Sequence, residues 1–250
     1  CVARVDSEMG KTPGNAQAWL MAYSRERGWY ELDRSYRQLE SWLANLDEPP
    51  EIEQASQVVR ARYEDLLRRQ AEAFTELLVA ADWVTKGVLH QTRVYPEVVA
   101  TGPKPVAYVL VDALRFEMGV ELVERLGAAR ELSLRPAVAA LPSITPVGMA
   151  ALMPGASGHF AVVAHDGAVA SRIDDAPLAG HANRWKHLQR HVPDAIDLRL
   201  GEVLQTPHAI LKKQISNASL VLVRSQEIDA LGEMDGSLIA RQLMDTMVQN

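Results

Sequence analysis

Cysteine, phenylalanine and long apolar runs are scarce in this sequence. Its 250 residues include one cysteine and three phenylalanines. A single cysteine excludes an intrachain disulfide framework and a metal site built from cysteines. No stretch approaches the run of about 18 apolar residues that a membrane-spanning helix needs, so we expect no membrane span. Lys and Arg (26) are outnumbered by Asp and Glu (32), which argues against a general nucleic-acid coat but leaves a local basic patch open.

The composition is that of an ordinary globular protein, with 48% hydrophobic and 23% charged residues. Its length fits one large domain or two small ones. No methionine precedes Cys1, and two interpretations stay open: the lipid-bearing first residue of a mature lipoprotein, or an excised chain. Residues 238–247 are predicted to form a helix, after which the chain stops without a closing element. We expect a piece of a longer protein, with the C-terminal part of the fold missing.

Residues 1–100 are predicted to form an N-terminal helical region. Asn15 is a suitable N-cap for a first helix. Apolar residues recur at spacings of three and four over residues 29–46, and a second helix is predicted over residues 52–83. The large aromatic rings in the first of these helices favour helix–helix core over a binding platform. The two long helices are expected to pair antiparallel and to pack on the following domain.

Residues 101–250 are predicted to form an α/β domain. The predicted strands of its sheet are short apolar runs: 106–111, 136–141 and 220–223. Smaller strands are predicted at 160–163 and 169–173, and helices at 113–127, 146–153, 183–191 and 238–247. Strands that alternate with helices indicate a mostly parallel sheet flanked by helices.

Polar groups follow the predicted strands, where sheets of this kind form their sites. Asp112 directly follows the first strand, and two interpretations stay open: a chemically active carboxylate, or the N-cap of the next helix. Thr145 follows the second strand, shortly after Ser143, and Pro146 predicts that Thr145 is the N-cap of a short helix. A hydroxyl there suits phosphate binding or attack on phosphorus with the help of a metal, and a plain cap is the alternative.

Asp229 and Glu233 follow the third strand, four positions apart. On a helix or tight turn both carboxylates face the same way and could share a divalent cation, the alternative being two solvent-exposed acids. With Asp112 and Thr145 they give a hydroxyl between carboxylates, as metal-assisted phosphoryl transfer requires.

His187 and His191 have metal-ligand spacing on a predicted helix. Basic neighbours, among them Arg184, favour instead a basic exposed face that could contact phosphate or nucleic acid.

Three segments together resemble one family: residues 109–118 (VLVDALRFEM), 141–152 (LPSITPVGMAAL) and 223–229 (VRSQEID). They are similar to the PglZ domain, a member of the alkaline phosphatase superfamily found in the BREX and Pgl phage-resistance systems. The resemblance covers about residues 105–250, and the helical region before it resembles the segment that precedes the domain in such proteins.

The resemblance implies a metal-dependent phosphatase or phosphodiesterase that acts in phage defence. Asp112 matches the superfamily's metal-binding aspartate, and Thr145 matches its nucleophile, which also binds metal, although the nearby proline comes one residue early. Asp229 and Glu233 match an Asp and a His more weakly. The expected cofactor is a divalent ion, zinc first, with manganese or magnesium as alternatives. Glu in place of His shifts the preference away from zinc.

One departure from the superfamily pattern is important. The superfamily needs an Asp-His pair late in the fold, and the sequence contains no Asp-His dipeptide. We therefore expect only part of a two-metal site here, and a non-catalytic scaffold of the defence complex is the rival interpretation. A two-component response effector is a weaker one. The expected partners are other defence proteins and a phosphoester or nucleotide, with nucleic acid left open, no membrane, and a cytoplasmic location.

Overall fold

The computed structural model describes residues 1–43, 50–127, 131–165 and 167–233. The chain divides into two compact units that are discontinuous in sequence. The helical unit comprises Cys1–Val88, Ala113–Pro136 and the segment that begins at Glu227, and the α/β unit comprises Leu89–Asp112 and Ala137–Gln226. The boundary expected between residues 100 and 101 stays a prediction, and the helix expected at 238–247 lies outside the described residues. Among the described helices, none has the length and apolarity needed to cross a membrane.

The first five helices all belong to the helical unit: α1 (Val2–Met9), α2 (Ala16–Ser24), α3 (Tyr30–Leu43), α4 (Pro50–Ala80) and α5 (Phe116–Leu126). The Asn15 side chain accepts a hydrogen bond from the Ala18 backbone N–H at 2.8 Å, which confirms the expected N-cap of α2. Helix α1 was not expected, and α4 ends before the expected limit at residue 83.

Aromatic rings form much of the core of the helical unit. Trp29 is 2% exposed and meets Trp19 edge to face, with ring centroids 5.3 Å apart. Tyr36 of α3 stacks on Tyr63 of α4 at 3.7 Å. These contacts confirm the expectation of aromatic core packing. Trp42 is the exception, since it is 57% exposed although its spacing had placed it on the same stripe.

A buried network of charges joins α3 to α5 inside the helical unit. Arg37 Nη2 donates to Glu121 Oε2 at 2.6 Å, and Arg125 Nη2 donates to Glu121 Oε1 at 3.0 Å. Glu117 is fully buried, and its Oε1 lies 2.9 Å from Arg115 Nε. Burial raises the pKa of Glu117, against the attraction of Arg115 and Arg37. Hydrophobic periodicity carries no signal for such a network.

The described residues of the α/β unit form eight strands: β1 (Leu89–His90), β2 (Val106–Val111), β3 (Ala137–Val138), β4 (Phe160–His165), β5 (Ala168–Ile173), β6 (Ala176–Pro177), β7 (Ile196–Arg199) and β8 (Leu220–Ser225). Its central sheet has the order β2-β8-β7, and all pairs are parallel. The register pairs Leu110 with Arg224 and Asp197 with Leu222. The expected α/β class, with parallel sheets flanked by helices, is confirmed.

The remaining strands form two separate sheets. Strands β1 and β3 pair in parallel, and β4-β5-β6 is antiparallel. The strand expected at residues 136–141 is present but shorter, and it pairs with β1 instead of joining the central sheet. Only two of these residues are a strand, and the Ala140 N–H donates to the Gln91 side chain at 2.9 Å instead of to a neighbouring strand. The true second neighbour of β8 is β7, which the sequence had not predicted.

The described part of the α/β unit also contains the α-helices α6 (Thr145–Ala151), α7 (Gly180–His191), α8 (Leu200–Gln205) and α9 (His208–Ile215), with a 3-10 turn (Gln91–Arg93) and a π-helical turn (Tyr95–Val99) after β1. One face of the central sheet carries Tyr108, Leu110 and Leu222, which share a core with Leu188 of α7. The opposite face packs against α8 and α9 through a second apolar cluster. Because side chains alternate along a strand, Asp112 belongs to the face covered by α7.

Candidate active site

Asp112 ends the first strand of the central sheet and is 8% exposed. Its backbone N–H donates to Ser225 O at 2.9 Å, which extends the pairing of β2 with β8 by one residue. The next residue, Ala113, has φ of 59°, a left-handed conformation that a residue with a Cβ rarely adopts. The chain therefore turns immediately after the carboxylate.

The interpretation of Asp112 as a helix N-cap is wrong. Helix α5 begins at Phe116, and its N-cap is Arg115. A buried carboxylate that caps no helix needs another reason for its burial, because desolvating a charge is costly.

Thr145 is the first residue of α6 rather than its N-cap, which is Ile144. Pro146 fits the second helical position as well as the first, since neither N–H has a partner within the helix. The Thr145 Oγ1 hydroxyl donates to Asp112 Oδ1 at 3.4 Å across 33 sequence positions. That distance is long for an O–H···O bond, so the bond itself is weak. The geometry nevertheless brings two of the expected site residues together.

Asp229 lies on helix α10 (Glu227–Glu233), which belongs to the helical unit. Its side chain is half-buried. Glu233 lies at the end of the same helix, and its side chain is outside the described residues. A shared cation site of these two carboxylates with Asp112 stays a prediction.

A second polar cluster, which the sequence did not predict, lies on the Asp112 face of the sheet. Arg224 Nε and Nη2 donate to Asp197 Oδ1 and Oδ2 at 2.7 and 3.0 Å. His181 Nε2 lies 2.9 Å from Asp197 Oδ2. Burial and the charge of Arg224 lower the pKa of His181, against the attraction of Asp197, so the imidazole is neutral near pH 7. In the sequence, the feature that could have indicated this cluster is Arg224, the charged residue that follows the apolar residues of β8.

Arg184 of α7 is half-buried, not part of an exposed basic face as the sequence suggested. Burial lowers the pKa of its guanidinium, the charge of Asp112 acts to raise it, and Arg224 acts to lower it. Arg184 therefore lies within electrostatic reach of Asp112 and stays charged.

His187 was also expected to lie on the exposed basic face, and this expectation is wrong. It is 6% exposed, and its Nε2 donates to Pro154 O at 2.8 Å. The ring nitrogen is occupied by a structural hydrogen bond, and burial lowers the pKa of the ring. His191 follows on the exposed side of the helix, and its Nδ1 lies 3.0 Å from His187 O. The expected basic face is therefore wrong for His187, whereas His191 is exposed next to the exposed Arg190.

Whether the site suits a divalent ion depends on the side chains that could act as metal ligands. Over the described ranges, His, Cys, Asp and Glu side chains do not gather in a group of three or more that could hold a metal. Asp112 and Thr145 supply two oxygen donors, a partial fit. Carboxylate and hydroxyl oxygens suit magnesium or manganese, whereas zinc more often takes nitrogen and sulfur ligands.

A family model described as the BREX system PglZ alkaline phosphatase-like domain matches residues 89–244. The matched segment includes all four residues expected in the metal site. A search of curated proteins finds no match for the chain.

Proposed function

We propose that this chain carries the nucleophile of a metal-dependent phosphoric ester hydrolase, because it belongs to the family of BREX system PglZ alkaline phosphatase-like domains. Membership in the BREX family is consistent with a role in phage defence beside other components of the system. Superfamily members generally use divalent metals. The ester hydrolysis and the residues that perform it are the proposal.

The contact between Thr145 Oγ1 and Asp112 Oδ1 carries this proposal. It places a hydroxyl at the start of a helix, where backbone N–H groups favour negative charge, beside a buried carboxylate. A capping or packing role for Thr145 does not need this carboxylate, whereas nucleophilic attack on phosphorus needs the hydroxyl oriented and its proton removed.

In the proposed reaction, Asp112 orients the Thr145 hydroxyl, which loses its proton to solvent. A bond forms between Thr145 Oγ1 and phosphorus, and the bond from phosphorus to the leaving oxygen breaks with its electron pair. Water then attacks phosphorus, the bond between Thr145 Oγ1 and phosphorus breaks, phosphate or a phosphomonoester leaves, and Oγ1 regains a proton from water. A divalent ion held by Asp112 and Thr145, with Asp229 and Glu233 as further proposed ligands, would supply Lewis-acid stabilisation and lower the pKa of the hydroxyl.

Hydrolysis of nitrophenyl phosphomonoesters and phosphodiesters by the chain tests the proposal, with zinc, manganese and magnesium added in turn. We expect Thr145→Ala to abolish metal-dependent hydrolysis. Ser143→Ala is the matched control, since it removes an exposed hydroxyl two positions away. Equal rates for wild type and Thr145→Ala would remove Thr145 as the nucleophile.

The second candidate is a scaffold that keeps the fold and binds partner proteins. The limited donor set of the described residues favours it. Calorimetric titration with the same three ions separates the two candidates. Binding that Asp112→Asn weakens supports the hydrolase, and no binding to the chain supports the scaffold.

A further inference from the structure

A cleft of about 320 Å³ lies between helices α2 and α4 of the helical unit. Its walls include the aromatic rings of Trp19, Tyr23, Trp29 and Phe74. The residues that line it in the described part of the chain carry no charge. Small-molecule sites span about 300–1,000 Å³, so this cleft has room for one small ligand.

The polar groups of two of these rings are already bound to carboxylates. Tyr23 Oη donates to Asp33 Oδ2 at 2.6 Å, and Trp29 Nε1 donates to Glu8 Oε2 at 3.0 Å. Trp19 differs from both, because it is 8% exposed and its Nε1 has no hydrogen-bond partner within the described residues. A buried indole N–H usually has an acceptor, so the unpaired Trp19 donor requires an explanation.

The surroundings of Trp19 leave its N–H unpaired. The ring meets Trp29 edge to face with centroids 5.3 Å apart, and turning it towards another acceptor would break this contact. Water is a poor substitute, because an ordered water needs two to four polar partners and the walls are mostly apolar. Gln70 of α4 also lines the cleft; it is half-buried, and its amide has no recorded hydrogen bond in the described ranges.

We propose that this cleft binds one uncharged, flat bicyclic heteroaromatic molecule whose ring nitrogen or carbonyl oxygen accepts a hydrogen bond from Trp19 Nε1. Flat rings pack on the aromatic walls, and the acceptor satisfies the buried donor. An ionic ligand would lose its hydration without meeting an opposite charge on the walls. The inference does not depend on the proposed function, since the cleft lies within the helical unit.

Binding of isoquinoline to the 250-residue chain, followed by ligand-observed NMR titration, tests the site. The buffer is mildly alkaline, so that the isoquinoline nitrogen is unprotonated and can accept. Naphthalene is the matched probe, because it has the same shape and no acceptor. We expect Trp19→Phe to weaken isoquinoline binding about 3- to 10-fold, as for loss of a neutral hydrogen bond, and to change naphthalene binding less.

Two further variants test the location of the site. Ala71 lines the cleft and is exposed on α4, so Ala71→Leu fills the space without disturbing a buried contact, and we expect it to abolish binding of both probes. Ala61→Leu changes an exposed alanine of the same helix outside the lining and should leave binding unchanged. Trp83→Phe, at a tryptophan that is 54% exposed, is the control for Trp19→Phe. Circular dichroism checks that each variant is folded.

Three results would overturn the inference: wild-type isoquinoline affinity in a folded Ala71→Leu chain, equal weakening of the two probes by Trp19→Phe, and no binding of either probe to the wild-type chain. Isoquinoline affinity that falls as the chain concentration rises would also overturn it, because a second copy of the chain would then occupy the cleft. If Trp19→Phe does not fold, Ala71→Leu and its control carry the test.

Discussion

Arg37 and Glu121 are 84 positions apart in sequence, and each is almost fully buried, yet Arg37 Nη2 donates to Glu121 Oε2 at 2.6 Å. Removing one partner of a buried ion pair leaves the other charge uncompensated. We expect Arg37→Ala to lower the free energy of unfolding by about 3–5 kcal/mol, measured by urea denaturation.

Arg68→Ala is the control for that experiment. Arg68 pairs with Asp65 and Glu72 on the solvent-exposed side of α4, where ion pairs contribute little. The interpretation fails if the two variants unfold at the same urea concentration.

Because of the Glu121 carboxylate, we expect the folded protein to lose stability in acid. Burial acts to raise its pKa, but hydrogen bonds from Arg37 and Arg125 outweigh burial, and the pKa lies below the ordinary value of 4.5. A depressed pKa in the folded state stabilises the fold above about pH 4.5, and this contribution disappears as the pH falls through the lower folded value. We expect Glu121→Gln to flatten the acid limb of stability against pH. Glu76→Gln, an exposed site on α4, should leave it unchanged. An acid limb that is the same in wild type and Glu121→Gln contradicts the assignment.

Asp33 accepts hydrogen bonds from two tyrosines, Tyr23 at 2.6 Å and Tyr63 at 2.9 Å. Burial, followed by the Asp33 charge, raises the pKa of both phenols. We expect Tyr63→Phe to cost about 1.5–3 kcal/mol of unfolding free energy, because the bond is made to a charged acceptor. Tyr95→Phe is the control, as no described hydrogen bond of its hydroxyl is recorded. A cost for Tyr63→Phe no larger than for Tyr95→Phe would count against the bond.

Asp112→Asn tests the carboxylate independently of the nucleophile. The amide keeps the shape but loses the charge, so we expect the concentration of divalent ion needed for half-maximal hydrolysis to rise at least about tenfold. Asp175→Asn removes an exposed carboxylate of the same unit and should leave the metal requirement unchanged. Identical metal requirements in wild type and Asp112→Asn would exclude Asp112 as a ligand.

Much of the α/β fold could be predicted from apolar runs. The β-branched runs of β2 and β8 identified both strands from composition, although only β8 is almost entirely buried and alternate residues of β2, such as Val109, are exposed. Strand β7 was not predicted from the sequence, because its four residues alternate polar and apolar and do not form an apolar run. It is stabilised by pairing with β8. The run at 136–141 resembled a sheet strand, but Ala140 pairs with a side chain instead.

The site was predictable only in part. Asp112 and Thr145 could be identified because each interrupts or follows an apolar run. Arg184 and His187 were misassigned, since periodicity reports which residues share a helix face and not how deeply that face is buried. His181 and Asp197 meet through tertiary packing alone. The roles of Asp229 and Glu233, and the domain boundary, stay predictions.

Trapping the covalent intermediate tests the nucleophile most directly. The wild-type chain is mixed with a phosphomonoester and a divalent metal and quenched in acid, and its peptides are analysed by mass spectrometry. The account predicts one added phosphoryl group on Thr145, absent from Thr145→Ala. Turnover with no phosphoryl group on Thr145, or with the group on another residue, would contradict it.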